Sequence, residues 1–139
     1  MDYNVENIFE SFGGEDLTFS MLRQAKLAKG RYEYFIEEVY KEDKVPTAFG
    51  VKDRIVIKYS IDFNGEKVEI IEKMNISKSP KSRLMKFIKS ICEIYNTQSV
   101  NLKDLEGSRG YLELEHVTDD IGNVYERVVK IEPIAEIIL

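Results

Sequence analysis

The residues in this sequence best suited to chemistry are five cations and one aromatic ring, grouped around a predicted β-hairpin. Residues 54–63 and 66–76 have the pattern of two strands joined by Asn64-Gly65, a dipeptide that favours the positive φ angles of a tight turn. Cations that follow phosphates and rings on which bases stack are the usual components of a site for single-stranded nucleic acid. The candidates are Arg54, Lys58 and Lys73 on one face of the hairpin, and Lys44, Phe49 and Lys52 in the loop before it.

The two-residue turn also fixes the predicted pairing of the strands, and with it the face that forms a core. Side chains alternate between the two faces of a strand, so the apolar residues of both strands share one side. Glu72 breaks this pattern, because it falls beside Ile57 on the apolar face. We expect either a bulge that turns Glu72 outward or a position at the rim. The predicted core comprises Ile55, Ile57, Tyr59, Ile61, Val68, Ile70, Leu84, Phe87, Ile88 and Ile91.

A plainer interpretation of the cations remains open. Lysine and arginine on an outward strand face usually keep that face hydrated, and Asp62 opposite Lys67 has the form of an ordinary cross-strand pair. The outward face of the hairpin also contains no aromatic residue. A second basic group, on the predicted helix, is interpreted mainly as a hydrated surface, with supplementary phosphate contact as the lesser alternative; it consists of Lys78, Lys81, Arg83, Lys86 and Lys89.

Composition limits the classes of protein that this sequence fits. The chain has 139 residues, which predicts one domain, and its five acids within residues 1–20 account for the net charge of −5. It contains no apolar run of about 18 residues, so no membrane partner is expected. One cysteine, Cys92, cannot form an internal disulfide, and the first residues lack the pattern of a signal peptide. A cytoplasmic location is the expectation.

Catalysis is not expected, because the chain offers few groups that could perform it. Its one histidine, His116, is interpreted as a packed or hydrogen-bonded structural residue, and no spacing typical of a metal site or a phosphate loop occurs. Glu37 and Glu38 are adjacent on a predicted strand, so we expect them on opposite faces. Neither a metal nor another cofactor is predicted.

The predicted elements follow the order strand, strand, strand, helix, strand, strand. The first strand covers residues 31–40, and a loop with Pro46 and Gly50 leads to the hairpin. Ser79-Pro80 is a predicted helix start, with the helix over 80–95. The last strands are 111–117 and 124–131. This order predicts a mainly β protein with one main helix: an OB-fold-like, five-stranded antiparallel Greek-key barrel over 30–139, preceded by a leader over 1–29.

Short motifs within residues 29–131 carry a family resemblance. Gly30 and Tyr32 open the first strand, a Leu-x-x-Leu-x-Gly segment precedes the fourth, and a glycine and a tyrosine occur in the last hairpin. In these motifs the chain resembles single-stranded-DNA-binding-like OB-fold proteins of phages and mobile elements. The residues of the second and third motifs are Leu102, Leu105 and Gly107, and Gly122 with Tyr125.

The resemblance implies a non-catalytic protein that binds single-stranded DNA, or RNA, in replication or recombination. The alternative is a protein-interaction or oligomerisation module that binds no nucleic acid. Apolar residues near both ends fit that alternative if they are buried in a homo-oligomer, whereas burial on their own barrel would explain them equally well. They are Val5, Ile8, Phe9 and Phe12 in the leader, and Ile134, Ile137, Ile138 and Leu139 at the other end.

Overall fold

The structure, a computed structural model, describes residues 20–134. These residues form five antiparallel strands in one sheet and one α-helix, so the predicted mainly β class and element order are confirmed. The sheet has the order β3-β2-β1-β4-β5, and its outermost strands, β3 and β5, are not hydrogen-bonded to each other. The sheet is therefore not closed. The strands are β1 (Gly30–Thr47), β2 (Gly50–Phe63), β3 (Glu66–Asn75), β4 (Arg109–Thr118) and β5 (Val124–Pro133); the helix, α1, is Arg83–Tyr95, and Leu102–Leu105 forms a 3₁₀ helix.

The β2–β3 hairpin has the register predicted from its turn. Phe63 pairs with Glu66, Tyr59 with Ile70, and the ladder continues without a shift. Asn64 and Gly65 have φ angles of 54° and 83°, the left-handed values that a two-residue hairpin turn requires. The turn sequence alone was enough to place every residue of this pair on the correct face.

The connection between β1 and β2 differs from the prediction. The expected loop over 41–53 is wrong, because both strands continue through it to a turn at residues 48–49. Pro46 is tolerated there because β4 pairs with β1 only as far as Phe35, which leaves one edge of β1 without a neighbouring strand at Pro46. The N–H that proline lacks would have no strand partner on that edge. Residues 41–53 thus form a two-stranded extension, which we call the hairpin arm. Within the arm, Lys44 (φ 53°) lies at a register shift.

Strand β1 is shared between two neighbours. Residues Gly30 to Phe35 pair with β4, and the remainder pairs with β2. A register shift between Ile36 and Glu38 inserts Glu37 as an extra residue. A bulge of this kind interrupts the alternation of faces. The expectation that Glu37 and Glu38 lie on opposite faces is therefore wrong, since both contact side chains on the same face of β2 and β3.

The core lies between the inner face of the sheet and α1. Leu84, Phe87 and Ile91 of the helix are buried in one cluster with the apolar face of the hairpin. Ile55 and Ile88, also predicted for this core, are partly buried against it. The predicted core is thus confirmed in composition.

The helix begins three residues later than predicted. Ser82 is the N-cap, and its Oγ accepts a hydrogen bond of 3.1 Å from the amide of Met85. Ser79 instead belongs to a turn, in which its carbonyl accepts from the amide of Ser82 at 2.9 Å. The helix ends at Asn96, whose left-handed φ of 52° stops it.

Glu72 lies on the inner face of β3, so both alternatives predicted for it are wrong. Its side chain is only 5% exposed, and the hydroxyl of Tyr59 donates to it at 2.7 Å. Arg83, from the first turn of α1, forms an ion pair with the same carboxylate and donates to the carbonyl of Val128 at 2.7 Å. One arginine therefore links β3 to β5 at the place where the sheet does not close.

The described part of the leader packs along β4 and β5. Glu126 of β5 accepts hydrogen bonds from the Arg23 guanidinium at 2.9 Å, from the Leu27 amide at 3.0 Å and from the amide of Lys26. Burial of the Glu126 carboxyl opposes ionisation, but these hydrogen bonds together outweigh it and hold its pKa below the ordinary value. Leu27 itself is buried in the core. Of the apolar residues predicted to dock at 3–12 and 134–139, only Ile134 lies within the described residues; it is partly buried, and its amide donates to the carbonyl of Arg109 at 3.0 Å.

Gly110 is a position where the fold depends on the absence of a side chain. A Cβ atom there would lie 2.5 Å from the carbonyl oxygen of Glu132 and 2.7 Å from the hydroxyl of Tyr34. We expect Gly110→Ala to lower the free energy of unfolding by about 1–3 kcal/mol, because β5 or the tyrosine must move. Urea denaturation measures the loss. Gly65→Ala is the contrasting case, because its φ of 83° strains an alanine backbone although nothing lies within 4 Å of its Cβ position. A loss below about 0.5 kcal/mol at Gly110 would contradict close packing here.

Candidate nucleic-acid interface

The predicted cations of the hairpin lie on the outer face of the sheet, the side away from α1. Arg54 places Nη2 2.8 Å from Oε1 of Glu42, and Lys58 places Nζ 3.5 Å from Oε1 of Glu38. Lys73 lies on β3, where it pairs with Val56 of β2; it is exposed and forms no ion pair within residues 20–134. The structure thus brings the three side chains onto one face, but two of them have acidic partners.

These acids come from β1, where the bulge at Glu37 adds one more. Glu37 accepts from Ser60 at 2.9 Å and pairs with Lys67 at 2.8 Å. The hydrogen bond from Lys67 is the main reason that the pKa of Glu37 is lowered, and the charge of Glu38 is the main reason that the pKa of Lys58 is raised. The outer face is consequently less basic than the hairpin sequence suggests. Lys67, expected to pair with Asp62, pairs with Glu37 instead.

The remaining predicted residues lie on the hairpin arm. Phe49 is 82% exposed at the turn, and Lys44 and Lys52 are exposed on the two strands. The carboxylate of Asp53 accepts from the amide of Lys44 at 2.9 Å, which fixes the backbone at the register shift. Phe49 is five residues from Arg54, roughly 17 Å along a strand. The arm and the outer face are therefore parts of one surface but not of one compact pocket.

Three aromatic rings on the outer face were not assigned to it from the sequence. Each lies close to a cation: Arg31 is 4.0 Å from the ring centroid of Tyr111, Arg109 is 5.7 Å from that of Phe35, and Lys58 is 5.6 Å from that of Tyr40. Strands β4 and β1 supply these rings, beside the hairpin. Tyr40 and Tyr111 had the right residue type, but the sequence did not establish which face of β1 and β4 they occupy. Two further tyrosines lie elsewhere: Tyr34 is buried inside, and Tyr125 lies under Arg23.

His116 and Asp119 both have structural partners. The Nε2 atom of His116 is 2.8 Å from the carbonyl oxygen of Leu27, the geometry expected of a hydrogen-bonded structural histidine. Asp119 accepts from the amides of residues 121–123 within a turn, and its hydrogen bond with Asn123 lowers the pKa of its carboxyl. Within residues 20–134, no three potential metal ligands cluster together.

Two further findings concern the chain as a whole. In the part that the structure describes, no helix has the length and apolar character needed to span a membrane. Comparison of the chain with family models, curated proteins and solved structures found no match.

Proposed function

We propose that this protein binds single-stranded DNA, or RNA, across the outer face of its sheet without catalysis. The observation that carries the proposal is the set of three rings, Phe35, Tyr40 and Tyr111, each beside a cation on that face. Aromatic platforms interleaved with cations hold the bases and phosphates of single strands in proteins of many folds. Together with the resemblance of its motifs, this favours a cytoplasmic protein of phage or mobile-element type, acting in replication or recombination.

An OB-fold is the architecture that we propose for it. The helix between β3 and β4, the sharing of β1 between β2 and β4, and antiparallel pairing throughout are features of that five-stranded barrel. In this proposal β3 and β5 approach each other to complete the barrel, with Arg83 between them in place of part of a hydrogen-bond ladder. OB-folds bind single strands across β2 and β3 and beside the loop between β1 and β2, which is where the outer face and the arm lie.

Binding in this proposal has two physical components. Phe49 and the three rings stack on bases, which contributes about 1–3 kcal/mol for each stacked base and is nearly independent of salt. Arg54, Lys58 and Lys73 contact phosphates, and each contact contributes about −0.7 to the slope of log K against log salt, or roughly −2 for three. Phosphates must displace Glu38 and Glu42 from their partners, so we expect weak binding at physiological salt.

The acidic partners provide the sharpest test. We expect the double variant Glu38→Gln, Glu42→Gln to bind fluorescent oligo-dT more tightly at low salt, because it frees Lys58 and Arg54 for phosphate. Anisotropy titrations at several salt concentrations measure both affinity and slope. Glu93→Gln together with Asp104→Asn, at two exposed positions outside the hairpin, is the control for the same change in net charge. Equal affinity for the double variant and this control would show that the outer face makes no phosphate contact.

Variants of the proposed contacts separate the two components. Arg54→Ala, Lys58→Ala and Lys73→Ala together should weaken binding and flatten the salt slope, whereas Phe49→Ala should weaken binding with the slope unchanged. Lys44 and Lys52 on the arm should make smaller contributions to the slope.

The second candidate is a protein-interaction or oligomerisation module. Phe49 and Val51 on the arm are 82% and 65% exposed, which is unusual for apolar side chains so close together and suits insertion into a partner. Under this alternative the protein binds no oligo-dT and forms a concentration-dependent oligomer in sedimentation. Phe49→Ala would then shift the oligomer toward monomer, whereas the charge variants would have no effect.

A further inference from the structure

A basic cleft lies between the unpaired edges of β3 and β5, beside the first half of α1. Its volume is about 470 Å³, within the range of small-ligand sites. Five cationic residues and one acidic residue line it, together with apolar residues that include Met74, Phe87 and Ile131. The charged residues are Lys81, Arg83, Lys86, Arg127, Lys130 and Glu72.

The charges of this cleft are mostly uncompensated. Its acid, Glu72, is buried and already paired with Arg83, and Lys130 is 3.8 Å from Glu113 on the neighbouring strand. Lys81, Lys86 and Arg127 are exposed and form no ion pair within residues 20–134. Three like charges around one cleft repel each other unless an anion lies between them. The outer face differs, because there β1 supplies acids to the cations.

We infer that this cleft binds a phosphate group, or two linked phosphates, at a site separate from the outer face. The guanidinium of Arg127 offers paired donors that match phosphate oxygens, and Lys81 and Lys86 add flexible point charges from the helix side. The volume accommodates a pyrophosphate group, whose several charges match the excess of cations better than one carboxylate would.

The site depends on the open sheet, so it does not rest on nucleic-acid binding by the outer face. Were β3 and β5 hydrogen-bonded along their length, the cleft between them would be filled by the ladder. Arg83 instead crosses this gap through Glu72 and the carbonyl of Val128. We therefore assign Arg83 to the floor of the site as a positioning residue, and Lys81, Lys86 and Arg127 to contact with the anion.

Thermal unfolding of the full chain with added pyrophosphate tests this inference. At constant ionic strength, we expect pyrophosphate to raise the melting temperature, with inorganic phosphate giving a smaller rise. The double variant Lys86→Gln, Arg127→Gln should bind pyrophosphate at least tenfold more weakly by calorimetry. The double variant Lys78→Gln, Lys89→Gln is the matched control, since it removes the same charge from two exposed residues that do not line the cleft. An equal response of wild type and double variant to pyrophosphate would overturn the inference.

Oligo-dT distinguishes the two sources of phosphate. If the cleft double variant loses affinity for both pyrophosphate and oligo-dT, the ligand is the backbone of a nucleic acid that also reaches this edge. If it loses affinity for pyrophosphate alone, the ligand is a free phosphorylated compound. Either result supports the site. If the wild-type protein binds oligo-dT but does not respond to pyrophosphate, the phosphate site in the cleft is overturned. The proposed function on the outer face is then unaffected.

Discussion

Replacing Arg83 by Met is expected to lower the free energy of unfolding by about 3 kcal/mol at pH 7, the lower end of the range for breaking a buried ion pair. The carboxylate of Glu72 is only 5% exposed, so without Arg83 its charge remains in the core, and among residues 20–134 Tyr59 is its one remaining side-chain hydrogen-bond donor. The loss is at the lower end because the Arg83 side chain is itself 39% exposed, and water can enter where it was. Urea denaturation of the variant measures the effect.

A second substitution tests whether the buried charge is the cause. The double variant Glu72→Gln, Arg83→Met should be more stable than Arg83→Met alone, because a neutral amide costs less to bury than an unpaired carboxylate. Lys81→Met, on an exposed residue next to the helix, controls for the loss of a cation. If Arg83→Met and Lys81→Met are equally stable, the ion pair makes no contribution to folding.

Replacing Phe87 by Ala should cost about 3–5 kcal/mol, as truncation of a packed aromatic residue does. Phe87 is 8% exposed and lies in the core cluster between α1 and the hairpin. Ile94→Ala on the same helix is the control, since Ile94 is 39% exposed and should lose far less. A loss below about 1 kcal/mol for Phe87→Ala would mean that the helix does not cover the core.

The sequence predicted best those parts of the fold that short-range chemistry decides. Asn64-Gly65 admits a two-residue turn, and such a turn fixes the register of both flanking strands and hence the inner face. The helix face followed from its period in the same way. The register of β1 could not be predicted, because no local sequence pattern indicates the extra residue at Glu37. The hairpin arm was not predicted because Pro46 and Gly50 usually interrupt strands. A strand can contain Pro46 here because β1 has no neighbouring strand on one edge beyond Phe35.

The candidate site was predicted in residue type but not in its electrostatics. Arg54, Lys58 and Lys73 lie on the predicted face, yet the acids that pair with the first two come from a strand whose facing was unknown. The facing of Phe35 and Tyr40 on β1 and of Tyr111 on β4 was also unknown, so these rings were not predicted to lie on the outer face. The cleft was also missed, since it needs Arg127 and Lys130 of β5 beside a helix that precedes them by some forty residues in the chain. Charges brought together by distant pairing cannot be summed from local patterns.

The sharing of β1 between two neighbours has a consequence for the order in which the chain folds. Its pairing with β2, like that of β2 with β3, closes only a short turn, whereas its pairing with β4 joins residues roughly 75 positions apart. Bringing β1 and β4 together closes this long segment of chain, and the conformational entropy is lost before β4 forms any contact. We therefore expect the rate-limiting barrier to lie at the docking of β4 and β5 onto a three-stranded meander, so that substitutions at the β1–β4 seam slow folding while those in the hairpin arm chiefly alter unfolding.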